Sequence, residues 1–113
     1  MDCGIKFNQI RCFLKRGVRV KVVPWNYDLV GEDESTYHGV FVSNGPGDPA
    51  MLMNYTVKNL AALVKREEAK DKPKPIFGIC IGNQLMGLAV GATTYKLKFG
   101  NRYDKPRNHN FLF

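Results

Sequence analysis

The sequence predicts an α/β fold, a mostly parallel sheet flanked by helices, present in incomplete form. Three observations predict it. Strand-like apolar runs alternate with helical patterns along the chain. Two of those runs, 39–43 and 76–79, are apolar almost throughout, as strands covered on both faces are. Each of the two leads directly into a glycine-rich turn, at the strand end where open α/β sheets bind ligands.

Bulk properties set the frame. With 113 residues the chain is one domain at most, long enough for a core and short for a complete doubly wound sheet. Hydrophobic content of 44% and charged content of 24% are those of an ordinary globular chain. No apolar run approaches the roughly 20 residues of a membrane span, and the first residues lack a signal-peptide core. The three cysteines, at 3, 12 and 80, have no metal-ligand spacing and form an odd set, which fits a reducing, intracellular setting. The net charge is +7, spread along the chain with no recognised nucleic-acid motif, so a solvated surface or an acidic protein partner explains it better than nucleic acid.

In chain order, Met1-Asp2-Cys3-Gly4 reads as the end of a strand. Residues 5–16 place Ile5, Ile10, Cys12, Phe13 and Leu14 near one helical stripe. Arg11, Lys15 and Arg16 complement the dipole at its C-terminal half, and Gly17 is positioned as its cap. Residues 18–23 alternate with period two and stop at Pro24, which predicts a strand. Residues 25–38 are a polar connector holding Glu32, Asp33 and Glu34, expected as a solvated loop or short helix. The apolar run 39–43 predicts a parallel strand. Residues 50–70 predict a helix whose buried stripe is Val57, Leu60, Ala61 and Val64. Prolines at 73 and 75 require a loop before the next strand, 76–79. A helix from Gln84 to Val90 follows, apolar on nearly every side and closed by Gly91. Residues 93–99 alternate again and predict a last strand. The tail beyond is basic and irregular.

Two stretches carry the chemistry. Asn44-Gly45-Pro46-Gly47-Asp48-Pro49 is a rigid loop with accessible backbone N–H groups, which serves either as a plain turn or as a ligand cradle. Phe77-Gly78-Ile79-Cys80-Ile81-Gly82-Asn83-Gln84 has the layout of a nucleophile elbow with cysteine in the serine position. The tight turn favours residues without a β-carbon on both sides of Cys80. Its sulfur is expected at the carboxyl edge of the sheet and at a helix N-terminus, which favours thiolate. Gly-x-Cys-x-Gly alone fits a small buried core cysteine as well.

Taken together, these segments resemble a class I glutamine amidotransferase, and more narrowly the glutaminase domain of eukaryotic-type carbamoyl-phosphate synthetase. Asp2-Cys3-Gly4-Ile5-Lys6-Phe7-Asn8-Gln9-Ile10-Arg11-Cys12 resembles that family's opening helix. Val22-Val23-Pro24-Trp25-Asn26-Tyr27-Asp28 resembles its next strand and turn. The 43–49 loop, the 77–84 elbow and the stretch from Gly91 to Arg102 follow in the family's order. The resemblance covers residues 1–102, a partial amidotransferase domain, and leaves 103–113 as a divergent basic tail. It implies flavodoxin-like layering.

It also implies roles. Cys80 attacks the side-chain amide of L-glutamine, a thioester forms, ammonia leaves, and water releases glutamate. Ile81 and Gly47 supply oxyanion N–H groups. Gly45 and Gln84 hold the amino-acid end of the substrate. Ammonia passes to a synthetase domain or subunit that makes carbamoyl phosphate for the pyrimidine or arginine pathway. ATP and magnesium are expected only in that partner, with no cofactor or metal in this domain. The setting implied is the cytoplasm, or the mitochondrion where a transit peptide lies upstream. Asn83 stands where many relatives have histidine.

The family's downstream His-Pro-Glu segment, whose histidine takes the thiol proton, is not in the sequence. Its only histidines are His38 and His109. His38 precedes a predicted strand and reads as loop filler. His109 resembles part of a glutamine-binding segment but has Asn110 where that segment has glycine, so no role is carried onto it. Little or no turnover is therefore expected from the 113 residues alone, along with marginal stability. The competing expectation is a catalytically silent module docking on a synthetase. An unrelated cysteine-elbow protein of redox or chaperone type would not need the 44–49 loop.

Overall fold

The computed structural model describes residues 1–98. Within them the order is α1 (Phe7–Leu14), β1 (Val40–Val42), α2 (Lys58–Glu68), β2 (Ile76–Gly78) and α3 (Ile81–Ala89). β1 and β2 pair in parallel, with Val40 opposite Ile76 and Val42 opposite Gly78. On the far side of β1, the Ser43 N–H donates to the Met1 carbonyl at 3.1 Å, and the Asp2 N–H donates onward to Val23 at 2.8 Å. The two-stranded sheet of β1 and β2 is thus extended, among the described residues, by backbone bonds to Met1–Asp2 beside β1 and to Val23–Pro24 beyond it. That is the 2-1-3-4 order of flavodoxin-like folds, which places successive carboxyl ends along one rim.

Period-two alternation sorts β1 between two layers. Val40 and Val42 point into the core with Val57, Leu60, Leu63, Ile81 and Leu85. Phe41 points the other way, edge-on to Phe13 of α1 at 5.0 Å and stacked on Phe77 at 6.1 Å. Thus α2 and α3 cover one face and α1 the other. Leu60, Leu63 and Leu85 are fully buried, and each such side chain contributes about 1.5–3 kcal/mol of transfer free energy. The α1 face is the thinner one: α1 buries no residue completely, and Phe77 stays largely exposed.

Helix ends follow their local chemistry. Gly17 adopts φ 73° just past α1, and the Gly17 and Val18 N–H groups bond back to Leu14 and Phe13, which satisfies otherwise orphaned carbonyls. Gly91 does the same for α3 at φ 87°. The predicted helix 50–70 is one continuous helical segment wound three ways. A 3₁₀ turn over Pro49–Leu52 starts from the Asp48 carboxylate, which accepts the Ala50 N–H, and a π-type turn over Met53–Val57 leads into α2. The π-type turn accompanies the burial of two successive side chains, Thr56 and Val57, with the Thr56 hydroxyl bonded to the Trp25 carbonyl at 3.0 Å.

Four expectations are corrected. Of the predicted stripe Val57 and Leu60 are buried as expected, and Leu63 and Glu67 are buried with them, whereas Ala61 and Val64 are only half-buried. The helix after the elbow begins at Ile81 rather than Gln84. Residues 18–23 form no ladder beyond the Asp2–Pro24 bridge. Their alternating valines, 18, 20 and 22, are exposed and only Val23 of the run reaches the core, so periodicity there lacks the buried face that makes a strand stable. Residues 93–98 likewise form no strand and are exposed throughout; Phe99 and the tail, including His109, lie outside the described residues. The connector 25–38 contains the short helix foreseen for it, a 3₁₀ turn over Glu34–Thr36.

Candidate active site

The site is built at the carboxyl ends of β1 and β2. β2 ends at Gly78, and Ile79 extends the pairing by one bond, its N–H donating to the Val42 carbonyl at 3.1 Å. The chain then turns at Cys80, with φ 55° and ψ −115°. Cys80 is the one non-glycine residue with positive φ among the described residues. Such a conformation costs a side chain about 1–3 kcal/mol and persists only where the surroundings impose it. The imposition comes from both flanks. A β-carbon on Gly78 would lie 2.6 Å from the Gly82 carbonyl oxygen and 2.7 Å from the Asn83 nitrogen. One on Gly82 would overlap the Val42 carbonyl oxygen and lie 2.9 Å from that of Ser43. The two glycines thus let the first turn of α3 press directly onto the end of β1.

The resulting elbow leaves Cys80 exposed at the N-terminal end of α3. Its carbonyl accepts the Gln84 N–H at 3.1 Å, which starts the helix, and Asn83 and Gln84 present exposed side chains on that first turn. Ile81 sends its side chain into the core, 2% exposed. Among the described residues nothing accepts the Ile81 N–H, one of the free donors every helix start possesses.

The second wall is the loop leaving β1. Gly45 lies against the first segment of the chain, where a β-carbon would overlap the Cys3 carbonyl. Gly47 faces open space at φ 99°, a backbone state that glycine adopts without strain. Among the described residues neither the Gly45 nor the Gly47 N–H has an acceptor. Asp48 ends the loop by capping the next helical turn. Asn44 ties the loop sideways, its amide donating to the Gly4 carbonyl at 3.0 Å. Asp2 holds the preceding turn by accepting the Gly4 and Ile5 N–H groups, which keep its carboxyl below the usual range.

The sequence-derived residues therefore fall on two adjoining walls. Cys80, Ile81 and Gln84 stand on the elbow, and Gly45 and Gly47 on the loop. The walls meet where Gly82 packs against Val42 and Ser43. An exposed cysteine followed by the unoccupied Ile81 N–H, with further free N–H donors on the adjoining loop, is an arrangement suited to covalent attack on a carbonyl whose oxygen becomes negative. His38 sits just before β1, at the opposite end of the strand from the elbow. No group of acidic, cysteine and histidine side chains that could hold a metal ion occurs among the described residues, nor does a helix long and apolar enough to cross a membrane. Sequence reasoning missed Ser43, which is fully buried between the walls. Its only sequence signal is a hydroxyl at the end of an apolar run.

Residues 1–110 match the family described as Glutamine amidotransferase class-I. The chain is 54% identical over 102 residues to the multifunctional protein URA2 of Saccharomyces cerevisiae, covering 90% of this chain and 4% of that protein. It is 49% identical over 110 residues to the multifunctional protein CAD of Squalus acanthias, covering 96% of this chain and 4% of the relative. It is 49% identical over 102 residues to the carbamoyl phosphate synthase arginine-specific small chain of Eremothecium gossypii, covering 90% of this chain and 25% of that one. The chain thus spans a small part of the length of each relative. The strained cysteine between two glycines, the adjoining amide loop and these matches together place the chain in the class I glutamine amidotransferase family.

Proposed function

We propose that this chain is the nucleophile-bearing part of a glutaminase that supplies ammonia for carbamoyl phosphate synthesis. The observation that carries the reading is the strained, exposed Cys80 at the start of α3. A cysteine buried for packing would need neither the strain nor the exposure. The Cys80 sulfur attacks the side-chain amide carbon of glutamine. The C–N bond breaks, ammonia departs with the proton given up by the thiol, and a γ-glutamyl thioester remains. Water cleaves the thioester and returns glutamate and the thiol. The Ile81 and Gly47 N–H groups stabilise the oxyanion in both halves, and Gly45 and Gln84 hold the amino-acid end of the substrate. Loss of one oxyanion donor of this kind slows turnover by about 10²–10³.

The ammonia goes to a synthetase domain or subunit of the pyrimidine or arginine pathway in the cytoplasm, and ATP and magnesium act there. Taking the thiol proton and then giving it to the leaving amine calls for an acid–base group beside the sulfur. His38 lies at the other end of β1 and the sequence holds no His-Pro-Glu segment, so little glutamine turnover is expected from these 113 residues alone.

Labelling tests the reading without requiring turnover. A glutamine-mimicking chloroketone should modify Cys80 saturably, with the adduct absent in Cys80→Ser. Exposed Cys12 serves as the internal control for non-specific alkylation. Absence of a Cys80 adduct in folded protein supports the second reading, a silent docking module. The largely exposed Phe77 beside the groove that α1 leaves on the sheet favours that reading.

A further inference from the structure

Ser43 joins three parts of the site through one buried residue. It is 0% exposed, the first residue after β1 and the last before the glycine loop. Its Oγ accepts the Cys3 N–H at 2.9 Å and lies 2.8 Å from the Asn44 carbonyl oxygen. An N–H cannot accept and a carbonyl cannot donate, so the hydroxyl proton points at Asn44. Its own carbonyl is one of the atoms that a β-carbon on Gly82 would strike.

The bond to Asn44 has a consequence one atom further on. The Asn44 C=O and the Gly45 N–H belong to a single planar peptide, trans here as throughout the described chain. Holding the oxygen toward buried Ser43 turns the Gly45 N–H the opposite way, and that N–H has no acceptor among the described residues. Glycine at 45 would otherwise make rotation of this peptide easy, since it accepts either sign of φ.

We propose that Ser43 is a positioning residue: its hydroxyl locks the Asn44–Gly45 peptide in the orientation that aims the Gly45 N–H at the amino-acid end of glutamine. The role rests on the glutaminase reading and deepens it. Ser43 touches no substrate and acts only through the loop.

The experiment compares two reagents at Cys80 in the full 113-residue chain. A glutamine chloroketone reports recognition through its saturation constant, and iodoacetamide reports the reactivity and access of the sulfur alone. In Ser43→Ala the chloroketone saturation constant should rise about tenfold, the size of one lost hydrogen bond in a site, while the iodoacetamide rate stays the same. Ser43→Thr keeps donor and acceptor and should recover most of the affinity. An unchanged saturation constant in Ser43→Ala, with saturable labelling of the unsubstituted chain, overturns this proposal alone. Equal slowing by both reagents overturns it in favour of a merely structural role. Non-saturable labelling of the unsubstituted chain overturns the glutaminase reading and this one with it. If Ser43→Ala does not fold, Ser43→Cys, close in volume and a weak donor, is read by the same criteria.

Discussion

Gly82 and Val42 are in backbone contact: the first turn of α3 rests on the last carbonyl of β1, leaving no room for a β-carbon. Because Cys80 sits two residues before Gly82 and the glycine loop starts two residues after Val42, this contact sets the separation of the sulfur from the loop. Gly82→Ala should push the two apart. Overpacking against rigid backbone costs about 1–3 kcal/mol, to be measured by urea unfolding. The Cys80 adduct with a glutamine chloroketone should be lost in the population that remains folded.

Cys80 has a backbone that suits glycine, and its side chain is exposed. Cys80→Gly should therefore stabilise the chain by about 1 kcal/mol, while removing all labelling. Cys80→Ala keeps a β-carbon in the strained position and should leave stability near that of the unsubstituted protein. A melting temperature raised in the glycine variant and not in the alanine variant checks the strain directly.

Glu67 should make folding sensitive to acid. It is buried on α2, accepting from Lys70 Nζ at 2.9 Å, from the Lys74 N–H at 2.9 Å and from Arg66 at 3.1 Å. These bonds, that from Lys70 foremost, lower its pKa from 4.5 to about 2. Glu34 and Tyr37 complete the surrounding network through Lys70, Lys74 and Arg66. The folded value lies below the unfolded one. The stabilisation is thus fully present above about pH 5 and is lost as pH falls toward 2. Glu67→Gln should cost about 1.5–3 kcal/mol at neutral pH, as loss of hydrogen bonds to a charged group does. It should also flatten the dependence of unfolding free energy on pH between about 5 and 2.

Gly87 offers a contrast to Gly82. It lies inside α3, and a β-carbon there would meet only the Ala92 side chain at 3.8 Å, an ordinary contact. Gly87→Ala should stabilise by about 0.5–1 kcal/mol through helix propensity, with chloroketone labelling of Cys80 unchanged. Destabilisation would show that α3 needs flexibility at that point.

The elbow was legible because its requirements are local. A strand turning at once into a helix needs missing β-carbons at 78 and 82, and those absences are written in the residue types. The same holds for the caps at Gly17 and Gly91 and for the proline-bounded loop at 44–49. The valines at 18, 20 and 22 misled for the opposite reason. Alternation records a capacity to form a strand, and whether a face is covered depends on residues far away in the chain. Residues 93–98 failed in the same manner, and the burial of Glu67 left no sign in the sequence, because its near neighbours Arg66 and Lys70 are tied to Tyr37 and Glu34, 29 and 36 residues earlier, only in the fold.

By itself, then, the order of residues determined which backbone could bend at Cys80, where helices stop, and which loop offers its amides. Only the tertiary structure decided that Ser43 is a buried tie and not a solvent-facing hydroxyl, that Glu67 is buried, and that the elbow and the loop meet across Gly82. The physical reason is range. Steric limits on φ and ψ act within a residue or two, whereas burial and hydrogen-bond partnership require chain segments dozens of residues apart to arrive at the same place.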